Sequence, residues 1–296
     1  MSIHAGTTRP DRAAHQEERP DPSSRRAATE HSASSAVPAT RSRPIWQRAA
    51  RRLIVGTGIF ASLVLVWWAI AFAGSYPPYI LPTPLAVAEK MWAMLLEGSL
   101  QIHWWTTALE AGLGFGFALV FGLCLGYAIA RSRLAERLAS PYLGISQGLP
   151  VVALAPLLFI WFQDDLTRKA VTVALICFFP IVVNTVVAMR NIDRAMLEVA
   201  LMSGANFWQT LRYVELPLGA RAMLGGVKLG ATLSVTGAVV GEFVSSDRGL
   251  GFLIAYGRGN FDTTLTFVGL VNLALLTLLL YMAASAIERR AVRWDD

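Results

Sequence analysis

Long apolar runs alternate along this chain with short segments crowded with arginine, aspartate and proline. Residues 53–72, 111–130, 140–162, 170–189 and 263–287 contain no charged side chain, and residues 222–241 contain only Lys228. Each run is about twenty residues or longer, enough for a helix to cross ~30 Å of hydrocarbon. The pattern predicts an all-α membrane protein with about six transmembrane helices. Pro150 and Pro156 fall inside the third run. Between the first two runs, Pro77, Pro78, Pro82 and Pro84 predict an extended turn, and residues 85–96 a short amphipathic helix.

One stretch breaks the alternation. Residues 198–217 read EVALMSGANFWQTLRYVELP, a polar, helix-forming insert between two apolar runs. Asp193 is placed to cap a first short helix, and Asn206 with Gln209 to form a capping box for a second. Gly204 lies between them, where a left-handed turn residue costs least. Leu197, Leu201, Gly204, Trp208 and Leu211 alternate spacings of four and three and so share a face. Pro217 is expected to stop the second helix. An amphipathic helix lying on a membrane surface would show the same stripe. It would not need Gly204 and Leu216-Pro217 at these distances.

Composition supports the membrane assignment. The chain is 54% hydrophobic and 16% charged, with mean hydropathy +0.48; soluble domains are roughly 25% charged. Residues 1–44 are rich in Arg, Ser, Ala, Pro and Glu and are expected to form a disordered cytoplasmic tail. Residues 45–296 then form the transmembrane domain. The fifty mostly polar residues ahead of the first run are too long for a signal-peptide n-region, so that run is expected to remain as a span. Cys124 and Cys177 fall inside spans and read as small packing residues.

The basic residues sort by side. Fifteen lie in clusters at 41–52, 131–137, 190–221 and 289–293, against Lys90, Arg168, Lys169, Arg248 and Arg258 on the other side. The positive-inside rule places both termini and the 198–217 insert in the cytoplasm. This distribution accounts for the isoelectric point near 9.7 without nucleic acid as a partner.

Several chemistries are missing. Lys90, Lys169 and Lys228 are followed by Met91, Ala170 and Leu229, so no phosphate-binding GxxxxGK[ST] loop exists. HExxH, GxSxG and clustered His or Cys are absent as well. No catalytic residue, metal or cofactor is expected. Polar groups within the spans are the functional candidates, because lipid burial is costly for them. Gln147, Asn184, Thr185, Ser234 and Glu242 are the candidate pore or gate residues, although Asn and Thr in such helices also bond neighbouring helices. Lys228 is expected to snorkel to the cytoplasmic surface and Glu110 to lie at the interface. Gly226 and Gly230 form a GxxxG for close helix approach, at a subunit seam or within the chain.

The insert resembles the cytoplasmic "EAA" loop of ABC-importer permeases. That pattern is Glu-Ala-Ala, three residues, Gly, nine residues, an aliphatic, one residue, Leu-Pro. Glu198, Val199, Ala200, Gly204, Val214, Leu216 and Pro217 fit it at the same spacing. Val199 stands where Ala is usual and Val214 where Ile is common. The resemblance extends over residues 77–290 to permeases for nitrate, sulfonates, taurine and thiamine precursors. It is carried by PPYILPTPLAVAEKMW, QGLPVVALAPLLFIWF, FFPIVVNT and GEFVSSDRGLGFLI, the last two nearest to the thiamine-pyrimidine and riboflavin branch. Asp164-Asp165 departs from the Gly often found there.

The resemblance implies a type I ABC importer permease in the plasma (inner) membrane. It further implies a homodimer of this chain, two cytoplasmic ABC ATPase subunits docked on residues 193–217, and an external solute-binding protein. Glu198, Ala200, Gly204, Leu216 and Pro217 would form the docking loop. Residues 241–257 are expected to fold as a short re-entrant or surface helix at the external end, with Glu242 meeting the solute. The alternative is an ion- or proton-coupled secondary transporter, which would more often show paired intramembrane carboxylates or inverted repeats. A membrane enzyme would need a nucleophile or metal cluster.

Overall fold

The computed structural model describes residues 45–74, 77–148, 150–244 and 246–291, without the side chains of residues 45–55, 60, 147 and 159. The tail expected at residues 1–44 lies outside this range. By its contacts the chain divides into residues 1–60 and residues 61–296. The first unit contributes the opening of helix α1 (Ile45–Ala73). The rest of the fold belongs to the second.

After α1 come α2 (Pro84–Leu96), α3 (Ser99–Arg131), α4 (Arg133–Gly148), α5 (Val151–Trp161) and α6 (Asp165–Arg190). Then follow α7 (Arg194–Met202), α8 (Phe207–Thr210), a π turn (Leu211–Glu215), α9 (Leu216–Val244), α10 (Leu250–Gly259) and α11 (Thr263–Ala291). No strand occurs among the described residues. Among the described residues, five helices are long and apolar enough to cross a membrane: part of α1, α3, α6, the run from Phe207 to Val244, and α11. The third expected span is instead a broken pair. α4 and α5 meet at 87° across Gly148 and Pro150. The break falls at Pro150, whereas Pro141 and Pro156 lie inside α4 and α5.

Three expectations about extent change. The second span begins at Ser99, not at residue 111, and runs for 33 residues. Its lower boundary had been set by Glu110, which lies well inside the helix. Pro217 does not end a helix: the chain stays helical from Phe207 to Val244. Proline cannot donate to the carbonyl four residues back and crowds it. The π turn just before α9 widens the backbone there, and Pro217 falls in the first turn that follows. The stripe from Leu197 to Leu211 is likewise divided among α7, the turn at Gly204, α8 and the π turn.

α6 is the centre of the packing, with α3 on one side and α9 on the other. Small residues make this possible. On α3, Gly114, Ala118, Gly122 and Gly126 recur every fourth position and are buried. A Cβ on Gly122 would lie 2.9 Å from Ile181 Cγ2, and one on Gly126 would lie 2.7 Å from Thr185 Cβ. α9 approaches the opposite flank through Gly226, Gly230 and Gly237, against Asn184, Ile181 and Val173. The GxxxG therefore serves packing within the chain. With lipid outside, burial gives little drive for helix association, and close backbone approach supplies van der Waals contact instead. Large side chains such as Phe117, Phe121, Leu278 and Leu279 are left facing outward, where lipid is their solvent. Cys177 is buried and its thiol donates to the Gly230 carbonyl at 3.2 Å, while Cys124 is exposed.

A second cluster joins α2, α10 and α11 through Val87, Leu250, Leu253, Leu265 and Val268. Trp67 stacks on Phe267 with centroids 5.2 Å apart, and its indole N–H donates to the Pro82 carbonyl at 3.1 Å.

Candidate functional site

The loop between α6 and α9 folds from its own sequence. The Asp193 side chain accepts from the Ala195 amide at 2.9 Å and starts α7. Gly204 ends it with φ +77°. The Ala205 amide donates to the Ala200 carbonyl at 3.1 Å and the Gly204 amide to the Leu201 carbonyl at 3.0 Å. These two bonds form the Schellman pattern, which needs a left-handed residue at Gly204. Asn206 and Gln209 then exchange the reciprocal bonds of a capping box, at 2.9 and 2.8 Å. Of the expected docking residues, Glu198, Gly204, Leu216 and Pro217 are exposed and Ala200 is half-buried. Around them Val199, Leu201, Met202, Trp208 and Tyr213 are exposed too, Met202 by 88% and Trp208 by 73%. The loop thus presents a concentrated apolar surface beside Glu198. Exposed patches of this kind mark contact sites.

Behind that surface the loop is tied to the end of α3. Glu215, on the π turn, has a side chain only 5% exposed. It accepts from the Tyr127 hydroxyl at 2.7 Å and from Arg131 Nη1 at 3.0 Å. The Arg131 guanidinium also lies over the Phe207 and Tyr127 rings, 5.1 and 5.5 Å from their centroids. Arg190, at the end of α6, pairs with Glu136 of α4 at 2.6 Å. Sequence reading missed this junction. Glu215 occupies the unspecified position between the aliphatic and Leu-Pro, and its partners lie more than eighty positions away.

The opposite end holds a buried polar cluster. Lys169 is 2% exposed and pairs with Glu110, also 2% exposed, at 3.0 Å. It reaches Asp165 at 2.6 Å and Ser246 Oγ at 2.8 Å. Glu110 thus lies within the helix packing. A buried lysine on the neighbouring helix compensates it, which is how charge is tolerated at membrane depth. Glu242 is buried beside them and accepts from the Thr107 hydroxyl at 2.6 Å. Its other oxygen accepts from the Gly251 and Phe252 amides, while Thr107 accepts from Leu250 and His103 Nδ1 from Gly249. Four successive amides at the start of α10 are thereby satisfied, with a carboxylate at the positive end of the helix dipole. A short helix does form here, but as α10 at Leu250–Gly259, while residues 241–244 end α9. Glu242, at the end of α9 away from the 193–217 loop, is turned inward and fastens α10 rather than facing an open path.

The other pore candidates sit on packed faces. Thr185 and Ser234 are buried and bond carbonyls of their own helices, those of Ile181 and Ala231. Asn184 bonds the Pro180 carbonyl at 2.8 Å and lies over Gly226. The side chain of Gln147 lies outside the described residues. Lys228 pairs with Glu288 and lies 5.5 Å from the Tyr281 ring centroid, so its charge is met by α11. An apolar groove of about 560 Å³ runs between α3 and α6, lined by Leu113, Phe117, Leu166, Val171 and Phe178 among others. None of the five pore candidates lines it.

Two aspartates outside the spans complete the electrostatics. Asp164 caps α6, and its bonds from the Thr167 hydroxyl and amide hold its carboxyl below the usual range. Burial pushes the Asp262 carboxyl up, but ion pairing with Lys90 and a bond from the Leu265 amide leave it lowered overall.

Residues 118–293 match the family described as the binding-protein-dependent transport system inner membrane component. The chain belongs to this family and is a permease subunit of a binding-protein-dependent ABC importer. It is 47% identical over 243 residues to the riboflavin transport system permease protein RibX of Chloroflexus aurantiacus, covering 81% of this chain and 90% of that protein. It is 26% identical to the taurine transport system permease protein TauC of Escherichia coli over 249 residues, covering 82% and 90%. Among solved structures, the MetNI methionine ABC transporter in an inward-facing conformation matches with TM-score 0.58 at 22% identity. That match covers 69% of this chain and 98% of that chain. The shared fold is that of a type I ABC importer permease.

Proposed function

We propose that this permease carries riboflavin, or a solute of the same heteroaromatic class, into the cytoplasm. The observation that carries this reading is the 47% identity to a riboflavin permease over nine-tenths of that relative's length. Identity to the taurine and aliphatic sulfonate permeases is 26% and 28%. The working unit is a homodimer with two ATPase subunits on the cytoplasmic side and an external solute-binding protein. ATP binding and hydrolysis belong to the separate subunit, in keeping with the lack of a phosphate-binding loop in this chain. Docking falls on residues 193–217, supported by the exposed apolar surface around Glu198 and Gly204. The fifteen-to-five distribution of basic residues supports a cytoplasmic position for this loop and for both termini.

Reconstitution in proteoliposomes tests the reading. Uptake of labelled riboflavin is expected only with ATP, the ATPase subunit and the binding protein together. Uptake of taurine or an aliphatic sulfonate with no uptake of riboflavin would overturn the solute class. Riboflavin uptake by this chain alone on an ion gradient would favour a secondary transporter.

A further inference from the structure

The central helices differ in how they meet the loop. α6 runs into it through Asn191 and Asp193, and α9 leaves it through the π turn, so both are joined to it by backbone. α3 packs against both yet is separated from the loop in sequence by α4, α5 and α6. Its connection is made by side chains: Tyr127 and Arg131 on Glu215, and Arg131 over Phe207.

We propose that the Tyr127–Arg131–Glu215 junction is the joint that carries motion of the docking loop to α3. Glu215 is a positioning residue for transport, acting through Arg131. The proposal rests on the reading that residues 193–217 dock the ATPase subunit. Three features support it. A buried carboxylate whose charge is met from one helix strongly resists separation from that helix, because separation would leave it uncompensated. Arg131 contacts the loop at Phe207, before the π turn, and at Glu215, its last residue, so loop and helix end move as one body. The π turn itself is a rare geometry that occurs mostly as single-turn bulges, frequently at functional sites. Here it lies at the position that holds Glu215 in the junction. Without the junction, a push on the loop would reach α3 only through its packing against α6 and α9.

The test uses the full transporter with its ATPase subunit and binding protein, reading ATP hydrolysed per solute transported. Arg131→Gln is expected to raise that ratio by roughly fivefold or more, the low end of typical coupling between sites. The ATPase subunit should still co-purify in the wild-type proportion. Arg131→Lys should lie between, and the exchange Arg131→Glu with Glu215→Arg should recover part of the lost coupling. Should Arg131→Gln fail to fold, the milder Tyr127→Phe must still raise the ratio. An unchanged ratio in Arg131→Lys and Tyr127→Phe, or an exchange no better than Arg131→Glu alone, would overturn the joint. Loss of ATPase co-purification in Arg131→Lys would overturn it as well, since the contact would then only shape the docking surface. Failure of the docking reading looks different: Gly204→Val and Glu198→Ala would retain both wild-type stoichiometry and wild-type transport.

Discussion

At Gly249 the backbone adopts φ +120°, and a methyl group there would collide with the Glu242 carboxylate. Gly98 also has positive φ, +80°, but open space lies where its Cβ would be. Both positions carry the backbone cost of an L-residue, about 1–3 kcal/mol. Only the first also displaces a buried, fully bonded carboxylate. Gly249→Ala should therefore lower the unfolding temperature in detergent clearly more than Gly98→Ala; equal losses would contradict the packing around Glu242. The same corner shows what a single sequence conceals. Glu110 read as a boundary because charge ordinarily ends an apolar run. Its partner Lys169 lies on a helix much later in the chain, and no local spacing pairs them. The orientation of Glu242 likewise depends on amides that α10 supplies only once folded.

Among the elements, the loop at residues 193–217 was legible because its chemistry is local. A capping aspartate, a left-handed glycine and a capping box each act within a few residues, and each forms as expected. The π turn was not legible, since Pro217 next to a polar insert signals termination unless a long following helix needs the chain to continue. Helix seams make a second expectation. A Cβ at Gly237 would lie 2.7 Å from Val173 Cα, which is backbone and cannot swing aside, whereas Gly112 faces open space. Gly237→Leu should destabilise by about 1–3 kcal/mol or more through overpacking. Gly112→Leu should be near neutral, and thermal unfolding of the two variants separates these outcomes. The tie between α2 and the start of α11 gives a pH dependence. Asp262 titrates lower in the folded state, so the stability it adds is present above its unfolded value and lost as pH falls through the folded one. Between about pH 5 and 3 the wild type should lose more stability than Asp262→Asn. Parallel acid profiles for the two proteins would remove Asp262 as the cause.

For the molecule as a whole, the apolar runs gave the number and order of spans. The long helices extend beyond their charge-free runs, and the third expected span is broken. Orientation is the molecular property most directly open to experiment. With endogenous cysteines replaced, Glu97→Cys should react with an impermeant thiol reagent added outside intact cells. Met202→Cys, in the chain expressed without its ATPase subunit, should react only after the membrane is opened. External labelling at position 202 would invert the topology and remove the docking proposal with it.

The pairing of Glu110 with Lys169 also constrains how the chain is made. α3 leaves the ribosome first and carries Glu110 with it, while Lys169 arrives only after α4 and α5 have been synthesised. A charged carboxylate within a newly inserted helix is disfavoured until it is matched. α3 is therefore expected to linger beside the translocon, sheltered from lipid, and to be released with α6 as a pair. Insertion of the central helices becomes a concerted event late in translation rather than a series of independent steps.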